Sequence, residues 1–424
     1  MKTKAMKDQA TTGLVPKLRF PEFRSAAGWR LEPLSQLATR TKQKNRDEQI
    51  TRVLTNSAEF GVMDQRDFFD KDIATQGKLE SYFVVELGSY VYNPRISATA
   101  PVGPISKNKI GTGVMSPLYT VFSFKNDSND FYEHYFKTTG WHGYMRQASS
   151  TGARHDRMAI SGEDFMAMPL PVSTPEEQQK IADCLGSLDE LIAAQGRKVE
   201  ALKTHKKGLM QQLFPREGET QPCLRFPEFR NAGEWNAREL SDFITERNEY
   251  PKEKVPLFSL TIEDGVTPKT ERYERSFLVN DEAEAYKLVM PNDFAFNPMN
   301  LRFGAIGRHS GTGKVAVSKY YNIFSCDKTV DSRFCETYFR SERMVAYYDE
   351  QAIGSLIEKR RVHFAAFLKF SIRFPRLQEQ ERIAEFLTSL DALITATNKE
   401  LDTLKTHKQG LMQQLFPSVE AEAA

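Results

Sequence analysis

Cysteine is scarce. Cys184, Cys223, Cys326 and Cys335 are scattered through 424 residues with no C-x-x-C pair. That spacing speaks against a structural zinc site and against a disulfide framework. One-signed charge is lacking too: 58 Lys and Arg against 56 Asp and Glu leave a formal charge of +2. Such a balance argues against a general polyelectrolyte binder while allowing a local basic surface. No apolar run reaches the roughly 18 residues of a membrane span. The opening MKTKAMKDQATTG has charge but no apolar stretch after it, so neither export nor insertion is expected, and the expected location is the cytoplasm.

Catalytic fingerprints are missing as well. There is no H-E-x-x-H, G-x-S-x-G or nucleotide-binding G-x-G-x-x-G. Gly311-Thr-Gly-Lys314 resembles the end of a phosphate loop, but Arg308 stands where the first glycine belongs and Val315 where a hydroxyl should hold magnesium. In the related stretch nearer the N-terminus, Val114 replaces the lysine. Asn93-Pro-Arg-Ile96 and Asn297-Pro-Met-Asn300 both lack the second proline and the aromatic of the amino-methyltransferase signature. No catalytic residue and no metal ligand is predicted.

What the chain does have is repetition. LKTHKKGLMQQLFP (202–215) returns as LKTHKQGLMQQLFP (404–417), with only Lys207 changed, to Gln409. LRFPEFR (18–24), followed by Trp29, returns as LRFPEFR (224–230), followed by Trp235. Between these markers, about 32–165 and 238–367, few residues are shared. The pattern predicts two unlike globular domains on a shared, two-fold scaffold.

The scaffold reads as helix. Thr174-Pro-Glu-Glu177 places a threonine N-cap, a proline at N1 and a glutamate at N3, which predicts a helix start with a capping box. From there Ile181, Leu185, Leu188, Ile192, Val199, Leu202, Leu209 and Leu213 recur at alternating steps of four and three, with Gln195 and Lys206 as polar members. Ile383, Leu387, Leu390, Ile394, Leu401, Leu404, Leu411 and Leu415 repeat the seam, with Thr397 and Lys408 in the polar places. A helix of about 39 residues is about 58 Å long, and an apolar seam that long calls for a partner helix. The other copy, antiparallel across a two-fold axis, is the expected partner, with polar positions fixing the register. The alternative is two amphipathic helices, each packed on its own domain. The duplicated Gly208 and Gly410 cost about 1 kcal/mol each relative to alanine, which suggests close approach by another chain. His205, His407 and the Gln-Gln pairs lie mostly off the seam.

The variable regions alternate short strand-like runs, turns and a few helical segments, which predicts α/β domains. They share landmarks: Tyr90-Val-Tyr-Asn-Pro94 with Phe294-Ala-Phe-Asn-Pro298, Ser116–Phe122 with Ser318–Phe324, and Phe131–Phe136 with Phe334–Phe339. Their aromatic residues are expected in the core. Basic residues gather near the turns: Arg95, Lys107, Lys109, Arg154, His155 and Arg157 in the first region, and Arg302, Arg308, His309, Lys314, Lys319, Lys359, Arg360 and Arg361 in the second. Each could reach a phosphate or a guanine edge; any one alone reads more readily as a solvated surface charge, and it is their recurrence at matching turns that raises the group above that reading.

In this order, Pro169-Leu-Pro171, Glu177-Gln-Gln-Lys-Ile-Ala182, Leu188-Asp189 and the LKTHK…LMQQLFP ending, followed by Glu379-Gln-Glu-Arg-Ile-Ala384, Leu390-Asp391 and the same ending again, resemble the specificity subunits of type I restriction-modification systems. The second copy departs in lacking the Pro-x-Pro approach, reading Ser371-Ile-Arg-Phe-Pro375, and in having Leu377 where the first has Pro175.

The resemblance implies a non-catalytic subunit with two homologous α/β target-recognition domains on a long antiparallel two-helix coiled coil. It implies a partition into a tail (1–17), a first recognition domain (18–170), a first spacer helix (171–215), a second recognition domain (216–372), a second spacer helix (373–417) and a tail (418–424). Its partners would be double-stranded DNA with a bipartite, asymmetric target, two methyltransferase subunits and two restriction subunits. No cofactor belongs to this chain; S-adenosylmethionine is expected in the methyltransferase, ATP and magnesium in the restriction subunit. Leu209, Gln212, Leu411 and Gln414 are the candidate docking residues. A self-sufficient methyltransferase or nuclease, or a coiled-coil assembly scaffold, are the competing readings.

Overall fold

The computed structural model describes residues 13–68, 79–151, 156–269, 285–354 and 360–417. The chain divides into two compact units, residues 1–195 with 400–424, and residues 196–399. Two 39-residue helices, Pro175–Leu213 and Leu377–Leu415, supply both, so each unit holds the beginning of one long helix and the end of the other.

In the first unit a four-stranded sheet runs in the order Ala38–Arg40, Thr120–Phe124, Tyr90–Tyr92, Ile105–Lys107. Its apolar face buries Tyr90, Tyr92 and Phe122, with Tyr90 stacked on Phe122 at 5.6 Å. The second unit repeats this order with Ile244–Arg247, Asn322–Cys326, Phe294–Phe296, Ile306–Arg308, and stacks Phe294 on Phe324 at 5.1 Å. The landmark aromatics Tyr90, Tyr92, Phe122, Phe294, Phe296 and Phe324 are core residues, as alternation of buried side chains on a half-covered sheet requires, whereas Tyr119 and Tyr321 are half-buried and Tyr320, expected in the core, is 77% exposed in the turn before its strand. All ladders between strands are antiparallel among the described residues, with isolated parallel bridges of Val53 with Val114 and of Leu257 with Ala316, within a mixed α/β composition.

The repeated segments meet inside each unit. In the first, Arg19 and Trp29 converge on Glu177 in the first turn of the helix, and Leu18 donates its backbone N–H to the Gln414 carbonyl at 2.9 Å. Phe416, from the repeated ending, packs its ring 5.1 Å from Phe131 and 5.7 Å from Tyr135. In the second, Arg225 and Trp235 converge on Glu379, Leu224 donates to the Gln212 carbonyl at 2.9 Å, and Phe214 stacks on Tyr338 at 4.9 Å. Thr174 caps the first helix, its hydroxyl accepting the Glu177 N–H at 3.3 Å. The Glu177 carboxylate, however, does not complete a capping box: it is taken by Arg19 and Trp29, because a charge-assisted pair in a dry site outcompetes a backbone N–H.

Every apolar seam residue is buried or half-buried. In the first unit Ile181 and Leu185 share a core with Leu415, so the start of one helix lies against the end of the other. In the second, Ile383 and Leu387 share a core with Leu213. This is the antiparallel arrangement, seen separately within each unit. The polar seam residues have matching partners: Lys408 donates to Asp189 in the first unit and Lys206 to Asp391 at 2.5 Å in the second. Gln195 reaches Glu400 at 2.6 Å, and buried Thr397 turns its hydroxyl back to the Leu393 carbonyl. A β-carbon on Gly208 or Gly410 would meet nothing within 4 Å, so the described part of this chain makes no close approach there.

Candidate nucleic-acid interface

The first unit carries a groove of about 640 Å³ between a hairpin and the turn that follows a central strand. The hairpin pairs Leu54–Ser57 with Gly61–Asp64. Gly61, with φ of +69°, sits at its turn in a conformation that favours glycine, as does Gly265 (φ +71°) in the corresponding hairpin of the second unit. Phe60, at the tip, is 63% exposed. Beneath the groove, buried Asn56 gives its side-chain amide to the Val91 carbonyl at 2.8 Å and the Pro104 carbonyl at 3.2 Å, fastening the hairpin to the sheet. Arg52 beside it is committed to Asp64 at 2.7 and 2.9 Å, and its guanidinium holds that carboxyl below the ordinary carboxylate range.

The turn is built by Asn93. Its Oδ1 accepts the Arg95 N–H at 3.0 Å and its Nδ2 donates to the Asn56 carbonyl at 2.9 Å, so Arg95 leaves the sheet at a fixed point. Asn297 builds the same turn in the second unit, accepting the Met299 N–H at 3.0 Å.

The predicted cations fall into three groups. Seven of the fourteen are occupied inside their own unit: Lys107 by Asp130 (2.7 Å), Lys109 by Glu133 (2.7 Å), Arg302 by Asp349 (2.7 Å), Arg308 by Glu336 (3.0 Å), Lys314 by Glu253 (3.2 Å), Arg360 by Asp349 (3.4 Å), and His309, buried, by the Gly313 carbonyl (2.7 Å). Except for Gly313 and Asp349 beside Arg360, which are near in sequence, the partners come from distant segments, and these geometries describe surface ion pairs and a filled core rather than waiting ligands. Arg154, His155 and Lys359 lie outside the described residues. Arg95, Lys319 and Arg361 have no carboxylate partner among the described residues, and Arg157 has only its neighbour Asp156 at 3.8 Å. Arg95 and Arg157 face each other across an antiparallel backbone bridge on the groove's rim.

A second kind of site is duplicated. In the first unit a recess of about 710 Å³ is floored by Ile192, Met412 and Phe416 and rimmed by Lys137, Lys405 and Lys408. In the second, a recess of about 620 Å³ is floored by Ile394, Met210 and Phe214 and rimmed by Arg340, Lys203 and Lys206. These are the same positions of the repeated helix ends. Of the proposed docking residues, Leu209 and Leu411 pack against the cores, while Gln212 and Gln414 keep exposed side chains. Ile192, Ile394, Lys206 and Lys408 bring seam positions into the recesses, while Met210, Phe214, Met412 and Phe416 were not singled out because they lie one residue away from the seam.

No group of three or more His, Cys, Asp or Glu side chains is arranged to hold a metal ion among the described residues, and no described helix is long and apolar enough to cross a membrane.

Residues 306–406 match the family described as type I restriction modification DNA specificity domain. The chain is 25% identical over 335 residues to the type I restriction enzyme MjaVIII specificity subunit of Methanocaldococcus jannaschii, covering 73% of this chain and 71% of that one. Among solved structures, it shares its fold with the S subunit of a type I restriction-modification system from M. genitalium (TM-score 0.51, 12% identity, 95% of this chain and 99% of that one). It also shares it with a chain from a study of complex assembly and conformational transition in the type I R-M system (TM-score 0.55, 14% identity, 92% and 98%).

Proposed function

We propose that this chain, which carries the type I restriction modification DNA specificity domain and is related over most of its length to a specificity subunit, is the non-catalytic DNA target-recognition subunit of such a system. One observation carries the proposal: two units repeat a sheet order and an Asn-Pro turn but place different side chains at it, Arg95 in one and Met299 in the other. Two readers built alike and armed differently suit a bipartite, asymmetric target. Phosphate contacts would supply salt-dependent affinity, and groove contacts the discrimination between bases.

In this reading the long helices pair antiparallel between the readers, and the repeated recesses dock two methyltransferase subunits, through which two restriction subunits join. S-adenosylmethionine would be held by the methyltransferase, and ATP with magnesium by the restriction subunit. The complex would work in the cytoplasm. Near-identity of the helix ends, where the readers diverge, supports a common partner met twice.

The test is transfer of a labelled methyl group from S-adenosylmethionine to DNA. The purified chain alone is expected to transfer none, and the chain with its methyltransferase to modify DNA sequence-selectively, with binding that weakens as salt rises. Transfer by the chain alone would make it a self-sufficient enzyme instead.

A further inference from the structure

Arg95 and Arg157 pair through their backbones in an antiparallel bridge, which puts their side chains on one face with β-carbons about 5 Å apart. Like charges placed so oppose each other. No carboxylate of the described residues lies between them; the nearest to either, Asp156, is 3.8 Å from Arg157. Two adjacent guanidinium groups on the rim of a groove, with only the distant Asp156 contact between them and full charge, make a site for a ligand with negative or acceptor atoms.

The second unit keeps one of the hydrogen bonds beside this bridge but not the bridge itself, since Arg361 pairs its backbone with Ile353. Met158 donates its N–H to the Pro94 carbonyl at 2.9 Å, and Val362 donates to the Pro298 carbonyl at 2.9 Å. The asparagine turns coincide as well, Asn93 with Arg95 and Asn297 with Met299. Arg361 thus stands where Arg157 stands, and Met299, 45% exposed, stands where Arg95 stands. Between two otherwise divergent domains the cation at 157 and 361 is kept, and the residue at 95 and 299 is exchanged for one of opposite chemistry.

Resting on the reading of the chain as a DNA target reader, we infer that positions 95 and 299 are base-reading positions and that Arg157 and Arg361 are the phosphate anchors beside them. A phosphate is the same under every base, so its contact is retained; a base edge differs with the target, so its contact changes. Arg95 offers the two parallel donors that fit guanine O6 and N7 in the major groove. Met299 offers an apolar surface that fits the thymine methyl and no donor for guanine.

The experiment maps methylated adenines in DNA from cells that carry the methyltransferase partner with wild-type chain or with Arg95→Met, Met299→Arg, Arg157→Gln or Arg361→Gln, and measures binding by the purified complexes. Arg95→Met is expected to lose a guanine from the first half-site, lowering discrimination there by about 5- to 150-fold, with the second half-site and the gap unchanged. Met299→Arg is expected to exchange a thymine for guanine in the second. Arg157→Gln and Arg361→Gln are expected to weaken binding to all sequences alike and to reduce the salt slope by about one. All four side chains are at least partly exposed, so the fold is expected to survive, checked by an unchanged melting temperature. Unaltered half-sites in both the Arg95 and Met299 variants would overturn the inference, as would a changed consensus in the Arg157 variant. A wild-type complex with no sequence-selective methylation would instead overturn the reading on which it rests.

Discussion

Arg19 holds Glu177 with two hydrogen bonds, 2.6 Å from Nε and 2.7 Å from the terminal nitrogen, across 158 residues of chain and with both side chains almost wholly buried. The Trp29 indole adds a third at 3.0 Å. The second unit repeats the arrangement with Arg225, Glu379 and Trp235. This clasp explains why an arginine-bearing segment, a tryptophan and a helix-start glutamate are all duplicated: together they fix each globular domain to the beginning of its helix.

Breaking the clasp on one side leaves a buried charge unpaired. Glu177→Ala is expected to destabilise the first unit by about 3–5 kcal/mol, while replacing both partners by apolar residues of similar volume, Arg19→Met with Glu177→Leu, restores most of the loss. Thermal unfolding of the variants checks this. Equal losses in the single and double variants would show that the pair contributes attraction beyond mutual neutralisation.

Lys408 and Asp189 form the helix contact in the first unit, where Lys137, Glu133 and His134 also gather. Burial first, then the Lys137 and Lys408 charges, push the His134 imidazole down to about 4, with Glu133 and Asp189 opposing. Between that value and the ordinary 6.5 the unfolded chain binds the proton and the folded unit does not, so stability is fully present above pH 6.5 and is lost as pH falls toward 4. The loss is about 3 kcal/mol. Thr337 stands at the matching place in the second unit and does not titrate there. Melting curves between pH 7 and 4 should therefore show a steeper decline for the wild type than for His134→Gln; parallel declines would contradict this.

Lys206 and Asp391 repeat the contact in a more exposed setting, with 24% and 53% of their side chains accessible. Lys206→Met should cost at most about 1 kcal/mol, and Lys408→Met, which strips a partner from a carboxylate beside a buried histidine, more. A comparison of the two variants by denaturant unfolding decides it.

The recesses give a stoichiometric prediction. Lys203→Glu with Lys405→Glu reverses an exposed charge on each rim and should weaken methyltransferase assembly at least about tenfold, while Lys405→Glu alone should leave one strong site. Light scattering on the mixed complexes, at unchanged melting temperature, reads both. Full assembly in the double variant would move docking elsewhere.

The helices, their seam, the strand and turn landmarks and the doubled plan were all legible in the sequence, because each rests on local spacing: four and three along a helix, Asn-Pro after an aromatic run. What was not legible depends on segments far apart. Lys107, Arg308 and Lys314 read like DNA-seeking cations until the fold brings Asp130, Glu336 and Glu253 to them. Glu177 read as a capping residue because its arginine comes from 158 positions away. The equivalence of Arg95 with Met299 was written in the aligned Asn-Pro turns, but only their common hydrogen bonds show that one position has been exchanged while its neighbour is kept.

The most direct measurement is a map of methylated adenines across DNA from cells containing this chain and its methyltransferase. Two unlike half-sites separated by a fixed gap of unspecified bases are predicted. A single uninterrupted site, two identical halves, or methylation without sequence preference would contradict two differently armed readers on one chain.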